Sequence, residues 1–290
     1  MKKVICVLVL YNPSANVLKK NIEAIIGQVD FLWISDNTPS GFKGIQEIIS
    51  SYPKKIEYAL MDGNVGIAKA QNEGIRFAID HEFDFVYFLD QDSISPDKIV
   101  AGLLAEFSKL HDEGYKVGGI GPQPFNRDTG KAYLASVKKG CSIRDGIIEV
   151  SELINSASLI SVNLFKEVGL MDEALFIDGV DHELCWRARN GERYRFFMVT
   201  SLPLSHKLGE GDRFFLGISV KVSTPFRTYY QYRNYFMLIY RNYVPIYWKI
   251  TKGIKLMGKY VFYLLFSHSR MDYFSNMNRG IADGVRNGRI

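Results

Sequence analysis

The chain has 290 residues, 47% of them hydrophobic, with 36 Lys and Arg against 31 Asp and Glu, so it is long enough and apolar enough to bury a full core. Its three cysteines, Cys6, Cys141 and Cys185, are scattered without Cys-x-x-Cys spacing, which argues against a zinc cluster or a disulfide framework and suits a reducing compartment. The charge is uneven: residues 213–290 carry 13 Lys and Arg against only Asp272 and Asp283, with 18 of the 39 aromatic residues, on a body that is net acidic. A basic, aromatic tail on an acidic body implies two jobs, and an anionic partner for the tail.

In chain order, the lysines and apolar run at Val4 to Leu10 superficially resemble a signal peptide. The run is short, however, and gives way to Tyr11-Asn12-Pro13-Ser14 without a small-residue cleavage site. It reads as a first strand, followed by a helix over Val17 to Ile26 in which Leu18, Ile22, Ile25 and Ile26 keep helical spacing. Phe31 to Ser35 is a second buried strand, closing on the turn formers Asp36-Asn37-Thr38-Pro39-Ser40. A helix near Gly44 to Ser51 and a strand near Ile56 to Leu60 follow. Asn64-Val65-Gly66-Ile67-Ala68 then leads into a helix through Asn72, Gly74 and Ile79. Its small residues permit close approach of backbone and ligand, but it is neither a Walker loop nor a Gly-x-Gly-x-x-Gly motif.

Phe83 to Leu89 is an aromatic and β-branched run that ends abruptly in Asp90-Gln91-Asp92. As a parallel strand buried on both faces, it delivers two carboxylates to the sheet edge where α/β proteins bind ligands. Ser95 as N-cap and Pro96 in the first turn predict a helix from about Asp97 to Lys109. On extended backbone Asp90 and Asp92 leave the same face and can converge on a hard cation, Mg²⁺ or Mn²⁺, which takes oxygen ligands from carboxylates, water and substrate phosphates. A solvated Asp-x-Asp turn is the bland alternative.

Farther on, Val117 to Gly121 reads as a strand, Asn126 to Gly130 as a turn, Asn155 to Ser161 as a strand with small hydroxyl residues, and Phe165 to Gly169 as a short helix with a glycine cap. Phe176-Ile177-Asp178-Gly179-Val180-Asp181 places carboxylates ahead of a helix. Acids there are common for dipole reasons alone, yet a carboxylate held near a metal and an acceptor hydroxyl is what general-base catalysis requires. After a strand over Phe196 to Leu202, His206 is either structural or a third metal ligand. The alternation of strands and helices predicts a mostly parallel, doubly wound α/β sheet flanked by helices, with Asp36 and the Asp90/Asp92 pair at one edge.

In the tail, Trp248 to Phe266 read as a helix gathers Ile250, Ile254, Met257, Val261, Leu264 and Leu265 on one arc and Lys249, Lys252, Lys255 and Lys259 on another. Such a helix suits an anionic membrane surface; docking on the body or on a second copy of the chain, as in a homodimer, are the alternatives. Nucleic acid is set aside, because no recognisable nucleic-acid module accompanies the basic surface. No stretch reaches the roughly 20 apolar residues of a spanning helix. The chain thus divides into a catalytic domain, residues 1–212, and a helical, basic and aromatic extension, residues 213–290.

Taken together, Val7 to Pro13, Ser35 to Ser40, Asn64 to Ala68 with Asn72-Glu73-Gly74, Leu89-Asp90-Gln91-Asp92-Ser93 and Phe176 to Asp181 stand in the order seen in family 2 glycosyltransferases. Asp-Gln-Asp-Ser and the later Tyr232-Arg233-Asn234 resemble the rhamnosyltransferase branch, and the likeness covers roughly residues 4–242. The resemblance implies a GT-A (Rossmann-like) fold and an inverting, metal-dependent transfer, most simply of L-rhamnose from dTDP-L-rhamnose, to a lipid-linked or growing glycan acceptor in cell-surface polysaccharide biosynthesis. It also implies a cytoplasmic place, peripheral at the inner face of the cell membrane. By analogy Tyr11, Asp36, Gly66, Asn72 and Asp90 would serve the donor, Asp92 and His206 the metal, and Asp181 would be the base. Gly179-Val180-Asp181 departs from the common Gly-Glu-Asp, so Asp178 competes for that role. A UDP-sugar donor fits the same loops. A sugar-phosphate nucleotidyltransferase would want a glycine-rich loop after the first strand, where Tyr11-Asn12-Pro13 stands instead; a binding module without chemistry is argued against by Asp90, Asp92 and Asp181.

Overall fold

The computed structural model describes residues 2–126, 140–191, 193–206, 212–215 and 218–288. The expected turn after Asn126 lies outside these residues. Nine strands form one sheet: β1 (Val4–Leu10), β2 (Phe31–Asp36), β3 (Ile56–Leu60), β4 (Phe85–Asp90), β5 (Val117–Asn126), β6 (Cys141–Arg144), β7 (Ile147–Val150), β8 (Leu159–Ser161) and β9 (Arg195–His206), in the order β3-β2-β1-β4-β8-β5-β9-β7-β6. The body's helices are α1 (Ala15–Ile25), α2 (Ile45–Ser50), α3 (Ile67–Asp80), α4 (Ile99–Asp112), α5 (Val162–Val168) and α6 (Val180–Arg189).

β1, β2, β3 and β4 pair in parallel, as the continuous apolar runs predict, and so do β5 and β9. The sheet is nevertheless mixed, because β8 runs against both β4 and β5, and β7 against both β6 and β9. β6 and β7 are joined by a tight turn at Asp145-Gly146, with Gly146 at φ 78°, and so short a connection permits only an antiparallel pair.

β1 explains why the strands read as unbroken apolar runs. Val4, Cys6, Leu8 and Leu10 face one layer, with Leu18, Ile22 and Ile25 of α1 and Leu103 and Phe107 of α4, while Ile5 and Val7 face the other, with Ile75 of α3 and Leu184 of α6. Alternate residues point to opposite faces, and both faces are covered. Helix α4 starts at Ile99, not at the expected Asp97, after Lys98 in the left-handed region at φ 59°. Ser95 does not cap it: the residue is buried, with its hydroxyl 2.9 Å from that of Tyr87, so the need to pair a buried phenol outweighs the capping tendency.

The tail folds into α7 (Pro225–Leu238), α8 (Ile246–Phe266) and α9 (Arg270–Gly288), preceded by an antiparallel ribbon of β10 (Asp212–Phe215) and β11 (Ile218–Lys221). Thr224 caps α7 by accepting a hydrogen bond from the Arg227 amide, and Pro225 occupies its first turn. Met237, Leu238, Val244 and Trp248 join the core layer that holds α6, whereas Tyr232, Leu256, Phe262, Tyr263, Tyr273 and Met277 form a separate cluster among the three helices. Gly280, Gly284 and Gly288 bring α9 so close to α7 that a Cβ on Gly284 would lie 2.4 Å from the Arg233 carbonyl. Helix α8 carries two apolar faces. Trp248, Leu256, Phe262 and Tyr263 are buried, while Ile250, Ile254, Met257, Val261 and Leu265 are each more than half exposed. Among the described residues no helix is long and apolar enough to cross a membrane.

Candidate active site

The parallel register sets Asp36 beside Leu10 and Asp90 beside Val9, so the carboxyl ends of β1, β2 and β4 share one edge. A cleft of about 580 Å³ opens there. Its wall includes Tyr11, Asn37, Gly66, Asp90, Asp92, Asp178, Asp181 and Arg227, contributed by five stretches far apart in sequence and by the first turn of α7. Gln91 stitches the ends of β1 and β4 together, accepting from the Tyr11 amide at 2.8 Å and donating to its carbonyl at 3.1 Å. That pairing holds Tyr11 at the rim, beside Asp90 and Asp92.

Asp92 is exposed to the cleft and makes no hydrogen bond or ion pair among the described residues. Asp90 is partly buried. Burial first, then the nearby Asp92 charge, pushes its carboxyl up to about 6, with the Ser156 hydroxyl working the other way. Two neighbouring acids on one cleft are a donor pair that suits a hard divalent cation: they offer carboxylate oxygens, and a cation would remove their repulsion. His206 ends β9, and its side chain lies outside the described residues.

Across the cleft, the loop before α6 is held in an unusual shape. Phe176, Asp178 and Gly179 all have positive φ, at 63°, 66° and 92°. Phe176 is the centre of a tight γ-turn, the Ile177 amide donating to the Leu175 carbonyl at 2.6 Å, a conformation that is strained for a bulky residue. Contacts on both sides hold it there. The Phe176 carbonyl accepts from the Ile67 amide at 2.7 Å, so it satisfies an unpaired donor at the start of α3. Its ring fills the space over Gly66, where an added Cβ would lie 2.5 Å away. On the other side Asn234 donates to the carbonyls of Leu175, Ile177 and Asp178 at 2.6 to 2.9 Å, and Arg233 donates to those of Ala174 and Leu175. Tyr230 stacks between the Phe176 ring, 4.5 Å away, and the Arg233 guanidinium, 4.7 Å away. The Tyr232-Arg233-Asn234 signature is thus in large part a clamp on this loop.

Within the loop the two competing acids differ. Asp178 takes a two-pronged ion pair from Arg227, and Arg227 gains a raised pKa chiefly from that bond. Asp181 sits in the first turn of α6, and its one hydrogen bond among the described residues comes from the His182 amide at 2.9 Å. Helix α6 is itself anchored by buried Glu183, which accepts from Arg187, Arg241 and the Tyr243 hydroxyl.

Two expected donor residues do not line the cleft. Asp36 is fully buried, accepting from the Thr38 and Phe42 amides at 2.8 and 2.7 Å and from the Tyr58 hydroxyl at 2.8 Å; it shapes the loop that presents Asn37. Asn72 is buried too, exchanging hydrogen bonds with the Met171 backbone and donating to Glu173, so it ties α3 to the segment leading into the γ-turn. Two residues the sequence reading leaves out do face the cleft. Arg227 was signalled only by the Thr224-Pro225 cap that starts its helix. Asn37 donates to the Gly66 carbonyl, while its own side-chain oxygen is buried without a partner among the described residues.

A mixed sheet with its ligand cleft at the carboxyl ends, an Asp-x-Asp at the central strand and an acid-bearing helix opposite define a nucleotide-sugar transferase of the GT-A class. The chain belongs to glycosyl transferase family 2, whose model matches residues 5–169. It is 28% identical over 289 residues to the dTDP-rhamnosyl transferase RfbF of Shigella flexneri, spanning 97% of this chain and 94% of that one. Among solved structures it is similar to S. aureus TarS 1–349 in complex with UDP-GlcNAc (TM-score 0.57, 13% identity, 99% of this chain and 89% of that one). It is also similar to the mannosyltransferase PcManGT of Pyrobaculum calidifontis in complex with GDP-Man and Mn²⁺ (TM-score 0.57, 12% identity, 97% and 75%). GalNAc-T7 with UDP, GalNAc and Mn²⁺ matches at TM-score 0.58 and 14% identity over 92% of this chain, which spans 58% of that one.

Proposed function

We propose that the protein transfers L-rhamnose from dTDP-L-rhamnose to a lipid-linked or growing glycan acceptor in cell-surface polysaccharide assembly, inverting the anomeric carbon. The observation that carries this reading is the joining of Asp90, Asp92 and Asp181 on one cleft, in a chain related along almost its whole length to a dTDP-rhamnosyl transferase. Tyr11, Gly66 and Asp90 would meet the nucleoside. Asp92, with His206, would hold Mg²⁺ or Mn²⁺; a divalent ion bound there offsets the charge that develops on the departing diphosphate. Asp181 takes the proton of the acceptor hydroxyl as that oxygen bonds to the anomeric carbon and the bond to the diphosphate breaks. A β-linked donor thereby gives an α-glycoside and free nucleoside diphosphate. Residues 1–212 supply the donor side and residues 213–290 complete the cleft through Arg227. The test is nucleoside diphosphate release across dTDP-, UDP- and GDP-sugars, with and without EDTA. dTDP-L-rhamnose should give the highest kcat/KM and EDTA should abolish turnover. A preference for a UDP-sugar reassigns the donor, and turnover indifferent to EDTA ends the metal role.

The exposed stripe on α8 supports a second part of the reading, that the protein rests on the cytoplasmic face of an anionic bilayer. Ile250, Ile254 and Met257 would enter the headgroup region while neighbouring lysines meet the lipid phosphates. Vesicles containing anionic lipid should sediment the wild type and lose Ile250→Asp/Ile254→Asp. If those substitutions instead split a dimer without changing vesicle binding, the stripe is an interface between two copies.

A further inference from the structure

Behind the Asp178–Asp181 loop lies a second cavity of about 220 Å³, bounded by α6, α7 and α8. It shares Asp178, Gly179 and Asp181 with the donor cleft, so Asp181 stands between the two spaces. The rest of its wall includes His182, Gln231, Tyr235, Trp248 and Lys252. Lys252 is partly buried there and makes no hydrogen bond or ion pair among the described residues. Of the two acids that share this wall, Asp178 is gripped by Arg227, and Asp181 accepts only from the His182 amide among the described residues. Burial draws its ammonium below the usual lysine range; the Asp178 and Asp181 charges work the other way, and Lys255 and Arg227 add like charge near it. A partly buried ammonium whose hydrogen-bonding hydrogens are unpaired within the described residues is costly, and a ligand anion placed on it would recover that cost through charge-assisted hydrogen bonds.

Trp248 and Tyr235 add aromatic surface to its wall, of the kind on which a sugar packs. The same helix that brings Lys252 inward turns Ile250, Ile254 and Met257 outward. A molecule whose anion sits on Lys252 can therefore offer a hydroxyl to Asp181 on one side and continue along α8 on the other.

We infer that this cavity is the acceptor site, and that it takes an acceptor bearing a phosphate ester, whose oxygens bind Lys252 while a sugar hydroxyl reaches Asp181. The inference rests on the proposed role of Asp181 as base. It extends that reading to the acceptor's chemistry, and it makes Lys252 a specificity residue supplied by the tail.

The test uses octyl phosphate on the full chain in EDTA, followed through tryptophan fluorescence, with octyl glucoside and inorganic phosphate as controls. Octyl phosphate should bind saturably, and Lys252→Met should weaken it about tenfold or more, the scale of one charged hydrogen bond. Lys252→Arg should retain most of the binding, and Asp92→Asn should leave it unchanged. With Mg²⁺ restored in place of EDTA, octyl phosphate should also slow glycosyl transfer in competition with the acceptor. Equal binding by wild type and Lys252→Met overturns the inference, as does loss of binding in Asp92→Asn. If octyl phosphate displaces the protein from vesicles yet leaves transfer unaffected, Lys252 serves a bilayer headgroup and the acceptor assignment falls. Donor hydrolysis separates the two readings: a wild type that releases no nucleoside diphosphate from any donor defeats the transferase reading itself, whereas normal hydrolysis with Lys252-independent binding defeats this inference alone.

Discussion

Arg227 grips both carboxylate oxygens of Asp178 at 2.8 to 3.2 Å and so separates it chemically from Asp181, three residues on. A carboxylate bound to a guanidinium is a weak proton acceptor, because protonating it would break a charge-assisted pair. Asp181 has no such tie. Asp181→Asn should therefore lower kcat by about 10²- to 10⁴-fold with the donor KM little changed, the range typical of a lost general base. Asp178→Asn should act through loop placement and raise KM as well. Steady-state kinetics on both variants decide the matter, and the assignment reverses if the kcat loss belongs to Asp178→Asn alone.

Gly66 joins the donor edge to the base loop through Phe176. At φ 85° the position is strained for any L side chain, and an alanine Cβ would meet the Phe176 ring at 2.5 Å and its carbonyl at 2.8 Å. Gly66→Ala should destabilise the fold by about 1–3 kcal/mol and depress kcat, since relief of the clash must move the loop that carries Asp181. Urea midpoints and turnover measure the two effects. Wild-type activity in Gly66→Ala would show that the loop is not set by this contact.

Most of the sheet was legible because β1, β2 and β4 are buried on both faces and leave unbroken apolar runs. The direction of β7 and β8 was not, since strands of four and three residues carry no register information of their own. The acids of the cleft stood out as abrupt polar endings to apolar runs. Their partners did not: Arg227 lies 49 residues from Asp178, and the reason for Gly66 is a ring more than a hundred positions away. Asn72 and Asp36 looked like ligand residues for the same reason that they are buried, namely short polar side chains in turns and helix starts that satisfy backbone groups. In the tail one apolar arc was visible on α8, but the glycines of α9 gave no hint that they fit against the backbone of α7.

Buried Glu183 is the electrostatic root of α6, receiving Arg187 and Arg241 along with the Tyr243 hydroxyl. Glu183→Ala leaves two guanidinium groups short of an anion in a largely dry site and should cost about 3–5 kcal/mol. Because Arg241 also binds Asp172, the tail should remain partly docked. Chemical denaturation would give the stability change. A loss below about 1 kcal/mol, the usual worth of an exposed pair, would mean that the cluster behaves as if solvated.

Asp90 makes the metal-free protein sensitive to pH in a defined direction. Its carboxyl rises from 3.8 in the unfolded chain to about 6 in the fold, first through burial and then through Asp92. Between these values the native state binds more protons than the unfolded one, so stability falls as pH rises from about 4 to 6 and the full penalty persists above that. At 1.36 kcal/mol for each pKa unit, the ionised group costs about 3 kcal/mol at neutral pH. Asp90→Asn removes the charge and nearly keeps the shape. In EDTA it should match the wild type near pH 4, gain stability progressively to pH 6, and hold a constant advantage of up to about 3 kcal/mol beyond, while losing transferase activity. Urea midpoints across that range read the difference directly. A difference that stays flat with pH would place the burial and repulsion of Asp90 elsewhere.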